Sequence, residues 1–155
     1  MDYLELFDRQ GREFDDLLMA AVKLAPDQFT APAPDGGPSL RDLMVELLDT
    51  PRGFVHGSLQ GRRHIPLAPE RVPTPLALGP ILGGFRLTLL DLVEELSPAD
   101  LARKVSVPDG SGGKAEWSTE AVLKHLLAEG TRVGGLAAHR LRTLQAENEP
   151  THTTD

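Results

Sequence analysis

The chain contains no cysteine. That excludes a disulfide scaffold, a thiolate zinc site and a cysteine nucleophile. It also lacks a basic excess: 16 Lys and Arg face 23 Asp and Glu, for a formal net charge of −7. Nucleic-acid binders carry a basic stripe that displaces counterions, so nucleic acid is not an expected partner. The densest basic cluster, Arg62-Arg63-His64, reads as a solvated loop. The longest apolar stretches are broken by Gly, Arg or Asp, and a membrane is not expected as a partner either. The start, Met1-Asp2-Tyr3-Leu4-Glu5, is acidic and amphipathic. A secretory leader opens basic and then turns apolar, so the expected compartment is the cytoplasm.

Other absences narrow the chemistry. No internal repeat marks a solenoid or propeller. No G-x-S-x-G elbow is present, and Gly110-Ser111-Gly112-Gly113-Lys114 lacks the spacing of a phosphate-cradling loop, so it reads as a turn. Ser39 and Ser118 are better explained as helix caps than as nucleophiles. Nothing alternates with period two over a convincing length.

What remains is helical, in 155 residues that suit one domain. Tyr3, Phe7, Gln10, Phe14, Leu17, Ala21 and Leu24 recur at three- and four-residue steps, which predicts a helix over 2–24 closed by Pro26. Ser39 and Asp42 have capping-box spacing before a second helix. Pro51 should kink or break that helix, with Thr50 as a candidate recap for a second segment through Leu59. Residues 60–75 form a long crossover. Ile81, Leu82, Phe85, Leu89, Leu92, Val93 and Leu96 give the apolar face of a third helix over 76–96. Ser97-Pro98 opens a short turn, and 104–117 reads as an extended loop or small hairpin. A last helix starts at Ser118 or Thr119 and ends near Ala146. Its interior Gly130, Gly134 and Gly135 each cost about 1 kcal/mol and suggest a close neighbour or ligand. The expected architecture is all-α, an up-down-down-up four-helix bundle over 1–146 with a long crossover between helices 2 and 3. Residues 147–155 read as a disordered tail.

Two segments resemble the DinB/YfiT-like family. Ser39-Leu40-Arg41-Asp42-Leu43-Met44-Val45-Glu46-Leu47-Leu48 is similar to the opening of that family's second helix. Trp117-Ser118-Thr119-Glu120-Ala121-Val122-Leu123-Lys124-His125-Leu126-Leu127-Ala128-Glu129-Gly130-Thr131-Arg132-Val133 is similar to its last helix. The family places three histidines around a divalent metal, two of them four residues apart on one helical face. At those positions this chain offers Glu46, Glu129 and Val133, and Val133 cannot bind a metal. Gly134-Gly135-Leu136 replaces the family's Arg-Gly-Gln.

The resemblance therefore implies a stress-associated bundle with a degenerate metal site, binding a small molecule or partner and expected as a homodimer. Phe54, Leu59 and Leu136 are the apolar positions expected to serve self-association. No cofactor is expected. The alternative is a metal-dependent hydrolase or thiol S-transferase whose remodelled cleft, Glu46, His125 and Glu129, takes a Zn, Ni or Mn ion. In that arrangement, two buried carboxylates would push one pKa up. The competing structural reading has Arg132 or Lys124 balancing partly solvated carboxylates. His125 and His139 fit helix–helix or subunit boundaries. Trp117 would plug the bundle end or wall a pocket. His56, His64 and His152 carry no assigned role.

Overall fold

A computed structural model describes residues 1–149. Those residues are mostly helical, with one small hairpin. The elements are α1 (Tyr3–Ala21), α2 (Pro26–Thr30), α3 (Leu40–Gly53), α4 (Gly79–Glu94), α5 (Pro98–Ala102), β1 (Lys104–Pro108), β2 (Lys114–Ser118) and α6 (Thr119–Glu147). Of the disordered tail expected over 147–155, Glu147 belongs to α6, Asn148 caps it and Glu149 follows in a bend, while 150–155 lie outside the described residues.

Local chemistry sets the helix starts. The Asp2 carboxylate accepts from Glu5 N at 3.1 Å and caps α1. Ser39 Oγ accepts from Asp42 N at 3.0 Å, and the Asp42 carboxylate accepts from Ser39 N at 3.4 Å. Ser97 and Asp100 repeat that box before α5, and Ser118 Oγ accepts from Ala121 N at 3.0 Å before α6. Each cap satisfies amides that no earlier turn can reach. Pro26, expected only to close α1, instead takes the first position of α2, where its missing N–H costs nothing.

Of the kink or break expected at Pro51, the break does not occur. α3 continues through the proline to Gly53 and widens into a π-helical turn, Phe54–Leu59. Gln60 N donates to Val55 O at 2.9 Å, the five-residue spacing of that turn. Proline has no N–H for the Leu47 carbonyl and crowds it; the wider turn that follows takes up the misfit. Thr50 accordingly lies inside α3 and caps nothing.

α3 packs on α6, α1 on α6, and α4 on α1. Phe7, Phe14, Leu40, Met44, Leu48, Leu123, Leu126 and Leu144 are buried between them. In α1 the buried stripe includes Leu18, while Gln10 and Leu17 are only half-buried. Tyr3 OH donates to Glu120 Oε2 at 2.8 Å, tying the two helix starts together. Burial, with that carboxylate beside it, pushes the Tyr3 phenol up to about 12. The hairpin pairs Val105 with Trp117 and Val107 with Ala115, and buries Val107 against the π turn. Thr119 N and Oγ1 both donate to Arg103 O, at 2.8 and 3.0 Å, fixing the hairpin to α6.

One stretch departs from the expectation of no spanning run. Pro75–Glu94 is long and apolar enough to cross a membrane by length and composition, with mean hydropathy 1.6. It carries Arg86, whose guanidinium is bound by two carboxylates of α1.

Candidate functional site

Helix packing brings Glu46 and Glu129 to one guanidinium. Arg132, on α6, donates from Nη2 to Glu129 Oε2 at 2.8 Å and stands 3.7 Å from Glu46 Oε1 on α3. The two carboxylates therefore share a guanidinium and do not face each other across an empty space. Glu46 is exposed, and Glu129 is only partly covered. The hydrogen bond from Arg132 holds the Glu129 carboxyl below its ordinary range, helped by the charges of Arg132 and His125 against a smaller opposing effect of burial. The burial of a carboxylate pair that would raise one pKa is not present, since Glu46 is exposed, and the Glu129 shift is downward. Val133 is 3 % exposed and belongs to the core. His125 sits between rings, 5.4 Å from the Phe54 centroid and 5.3 Å from that of Trp117. His139 is exposed. Among the described residues no group of three or more His, Asp or Glu is arranged to hold a metal ion.

A second cluster went unassigned in the sequence. Asp49 Oδ1 accepts from Arg52 Nη1 at 2.7 Å and lies 3.2 Å from His64 Nε2. His64 Nδ1 lies 3.2 Å from His56 Nδ1. A carboxylate only accepts, so His64 Nε2 carries a hydrogen. A neutral His64 then presents a lone pair at Nδ1, His56 donates from its own Nδ1, and His56 Nε2 is left with the free lone pair. Burial lowers the His56 pKa, reinforced by Arg52, His64 and Arg62 and opposed by Asp49. His56 meets the Phe85 ring edge-on at 6.4 Å. The only sequence signal for this cluster was one acid and two histidines within a short stretch around a nonperiodic crossover.

Two concavities flank these clusters. The first, about 570 Å³, runs between α1, α3, α4 and α6 and is lined largely by apolar side chains such as Phe14, Leu48, Leu82, Leu89 and Leu126. Arg86 and Gln10 stand at its polar edge. Arg86 donates to Asp15 Oδ2 at 2.6 Å and Asp8 Oδ1 at 2.9 Å, and the Arg86 hydrogen bond lowers the Asp8 pKa. Gly130 makes room for Gln10: a Cβ there would lie 2.7 Å from Gln10 Oε1. Gly134 also lines the groove, and a Cβ on it would meet nothing within 4 Å. The second concavity lies between the crossover and the hairpin turn.

The apolar positions expected at a self-association surface divide. Phe54 and Leu59 are half-buried against this chain's own core, whereas Leu136 is exposed. Leu76 and Leu87, which the sequence did not single out, are also exposed.

Searches of family models and of curated proteins return no match to this chain.

Proposed function

We propose that the chain is a DinB/YfiT-like four-helix bundle, up-down-down-up, built from α1, α3, α4 and α6, which has lost the three-histidine centre and binds a small apolar molecule. The observation that carries this reading is the 570 Å³ groove between those helices, within the size range of small-molecule sites and mostly apolar with a polar edge. The family resemblance is supported by the capped starts of α3 and α6 and by the adjacency of Glu46 and Glu129. Arg132, a cation already seated between those carboxylates, favours a site without metal. The alternative, a hydrolase or thiol S-transferase with Zn, Ni or Mn at Glu46, His125 and Glu129, requires Arg132 to leave. A homodimer through exposed Leu87 or Leu136, in the cytoplasm, completes the proposal.

The test uses the neutral fluorophore N-phenyl-1-naphthylamine. The native chain should bind it, and Gly134→Leu, which fills the groove, should weaken binding about tenfold or more. Equal binding by both proteins sinks the groove reading. Elemental analysis of protein prepared without chelator tests the lost centre, since a stoichiometric transition ion would restore the alternative. A light-scattering mass of one chain at high concentration removes the dimer.

A further inference from the structure

We propose that the groove between the crossover and the hairpin turn binds a small organic phosphomonoester, held by Arg62, Arg63 and Lys114. Neither segment looks functional alone: one is a basic loop, the other a glycine-rich turn. The fold places them on opposite sides of one groove of about 1160 Å³, floored by the end of α3 and the π turn.

Charge is the first argument. Three cations line this groove and one carboxylate, Asp49. Asp49 is already engaged by Arg52 and His64, whereas Arg62, Arg63 and Lys114 make no ion pair among the described residues. In a chain of net charge −7, such a concentration of unpaired positive charge creates a local field that draws in a small dianion. The same net charge repels an extended polyanion, which favours a small ligand over nucleic acid.

Geometry is the second. The crossover is pinned beside α3 because His64 lies within hydrogen-bond distance of both Asp49 and His56. Its ring passes close over Gly53, where a Cβ would lie 3.4 Å from His64 Cδ2. Arg62 and Arg63 immediately precede this anchor. Arg62 donates from Nε and Nη2 to Gln60 Oε1, which braces the guanidinium and leaves Nη1 free. Across the groove, Lys114 begins β2 directly after the turn.

The turn itself does not hold the anion. Gly110 and Gly112 have φ of 83° and 87°, which bends the backbone into a concavity. Two of its amides already face a carboxylate, however, which itself repels an anion: Ser111 N and Gly113 N donate to Asp109 Oδ1 at 2.9 and 3.0 Å. The phosphate therefore rests on side chains. The Arg63 guanidinium offers a forked pair of donors to phosphate oxygens, Arg62 adds its free Nη1, and the lysine adds a point charge. Ser58 and Ser106 line the same space, and Phe54 supplies an apolar wall for the organic part of the ester.

Titration calorimetry on the full chain tests this with phenyl phosphate, inorganic phosphate and a single-stranded oligonucleotide. Phenyl phosphate should bind, more tightly than inorganic phosphate. Binding should weaken about tenfold or more in the double variant Arg62→Gln with Arg63→Gln, and also in Lys114→Gln, while the exposed Arg142→Gln leaves it unchanged. Circular dichroism confirms that the variants are folded. The proposal is overturned by silence toward phenyl phosphate at millimolar concentration, by equal binding in the groove variants, or by an equal loss in Arg142→Gln. Equal affinity for inorganic phosphate removes the ester, and tighter binding of the oligonucleotide removes the small ligand. Binding of N-phenyl-1-naphthylamine in the other groove is a separate readout, so either result can fail alone.

Discussion

Glu46 and Asp49 lie three residues apart on α3, and their surroundings differ. Glu46 is exposed and meets a single long guanidinium at 3.7 Å, across water-facing surface. Asp49 is 19 % exposed at its side chain and is held by Arg52 at 2.7 Å and by His64, itself 16 % exposed. The first arrangement is an exposed network that salt screens and side-chain entropy weakens. The second is partly desolvated, so each partner's loss leaves a polar group poorly compensated. Similarity of sequence drew notice to the first; burial concentrates interaction energy in the second.

This contrast can be broken in several ways. The largest effect is expected from Val133→His, which puts an imidazole where the family resemblance implies a ligand. The side chain is in the core, so a polar ring without a partner should cost about 2 kcal/mol. Denaturant unfolding should show that loss, and added Zn²⁺ should not restore it. Recovery with zinc would mean that the Glu46 and Glu129 surroundings still favour a metal.

Next, Asp49→Ala removes the carboxylate shared by Arg52 and His64. Unfolding in urea should register a loss of about 1–2 kcal/mol, larger than that for Glu46→Ala. Equal effects would erase the distinction between the two carboxylates.

A pH series sharpens the contrast further. Folding lowers the His56 pKa beneath its ordinary 6.5, with Arg52, Arg62 and His64 acting with burial and Asp49 opposing them. The unfolded chain therefore takes up this proton at a higher pH than the folded one. Stability from the neutral imidazole is present above about pH 6.5, declines as the pH falls toward the folded value, and is flattened over that interval in His56→Gln. Thermal melts across that range check it; parallel curves would exclude His56 as a linked group. Glu129 shifts in the same direction in a lower pH window: its lowered pKa gives stability above the ordinary carboxyl value of 4.5 that is lost as pH falls through the folded value.

The smallest change belongs to Arg132→Gln. Its melting temperature should match a surface control in high salt and differ only at low salt. A large, salt-independent loss would show that the exposed network carries more than its geometry suggests.

The helices were legible because their signals are local: Ser39 with Asp42 and Ser118 before Thr119 mark starts, and three- and four-residue apolar spacing marks faces. The hairpin was readable only as one of two alternatives, since Lys104–Pro108 and Lys114–Ser118 are too short to show alternation. The adjacency of Glu46 and Glu129 came from the family resemblance; Arg132 between them was one of two balancing cations considered. For the Asp49–His64–His56 cluster the sequence offered only the nearness of one acid and two histidines, because their meeting depends on where an irregular crossover returns to α3, and no periodicity encodes that return. The extension of α3 past Pro51 was likewise hidden, because the wider turn that tolerates the proline depends on packing after it.

That wider turn has a consequence for chain length. At Phe54–Leu59 the backbone spends one extra residue per cycle relative to ordinary α winding. Removing Gly57, Ser58 or Leu59 would let the coil close at ordinary α winding, with the extra residue no longer there to absorb. The tether that returns the ring at 64 to the imidazole at 56 and the carboxylate at 49 would then be one residue shorter. Homologues that shorten this connection should therefore do so after residue 64, in the part of the crossover beyond its anchor.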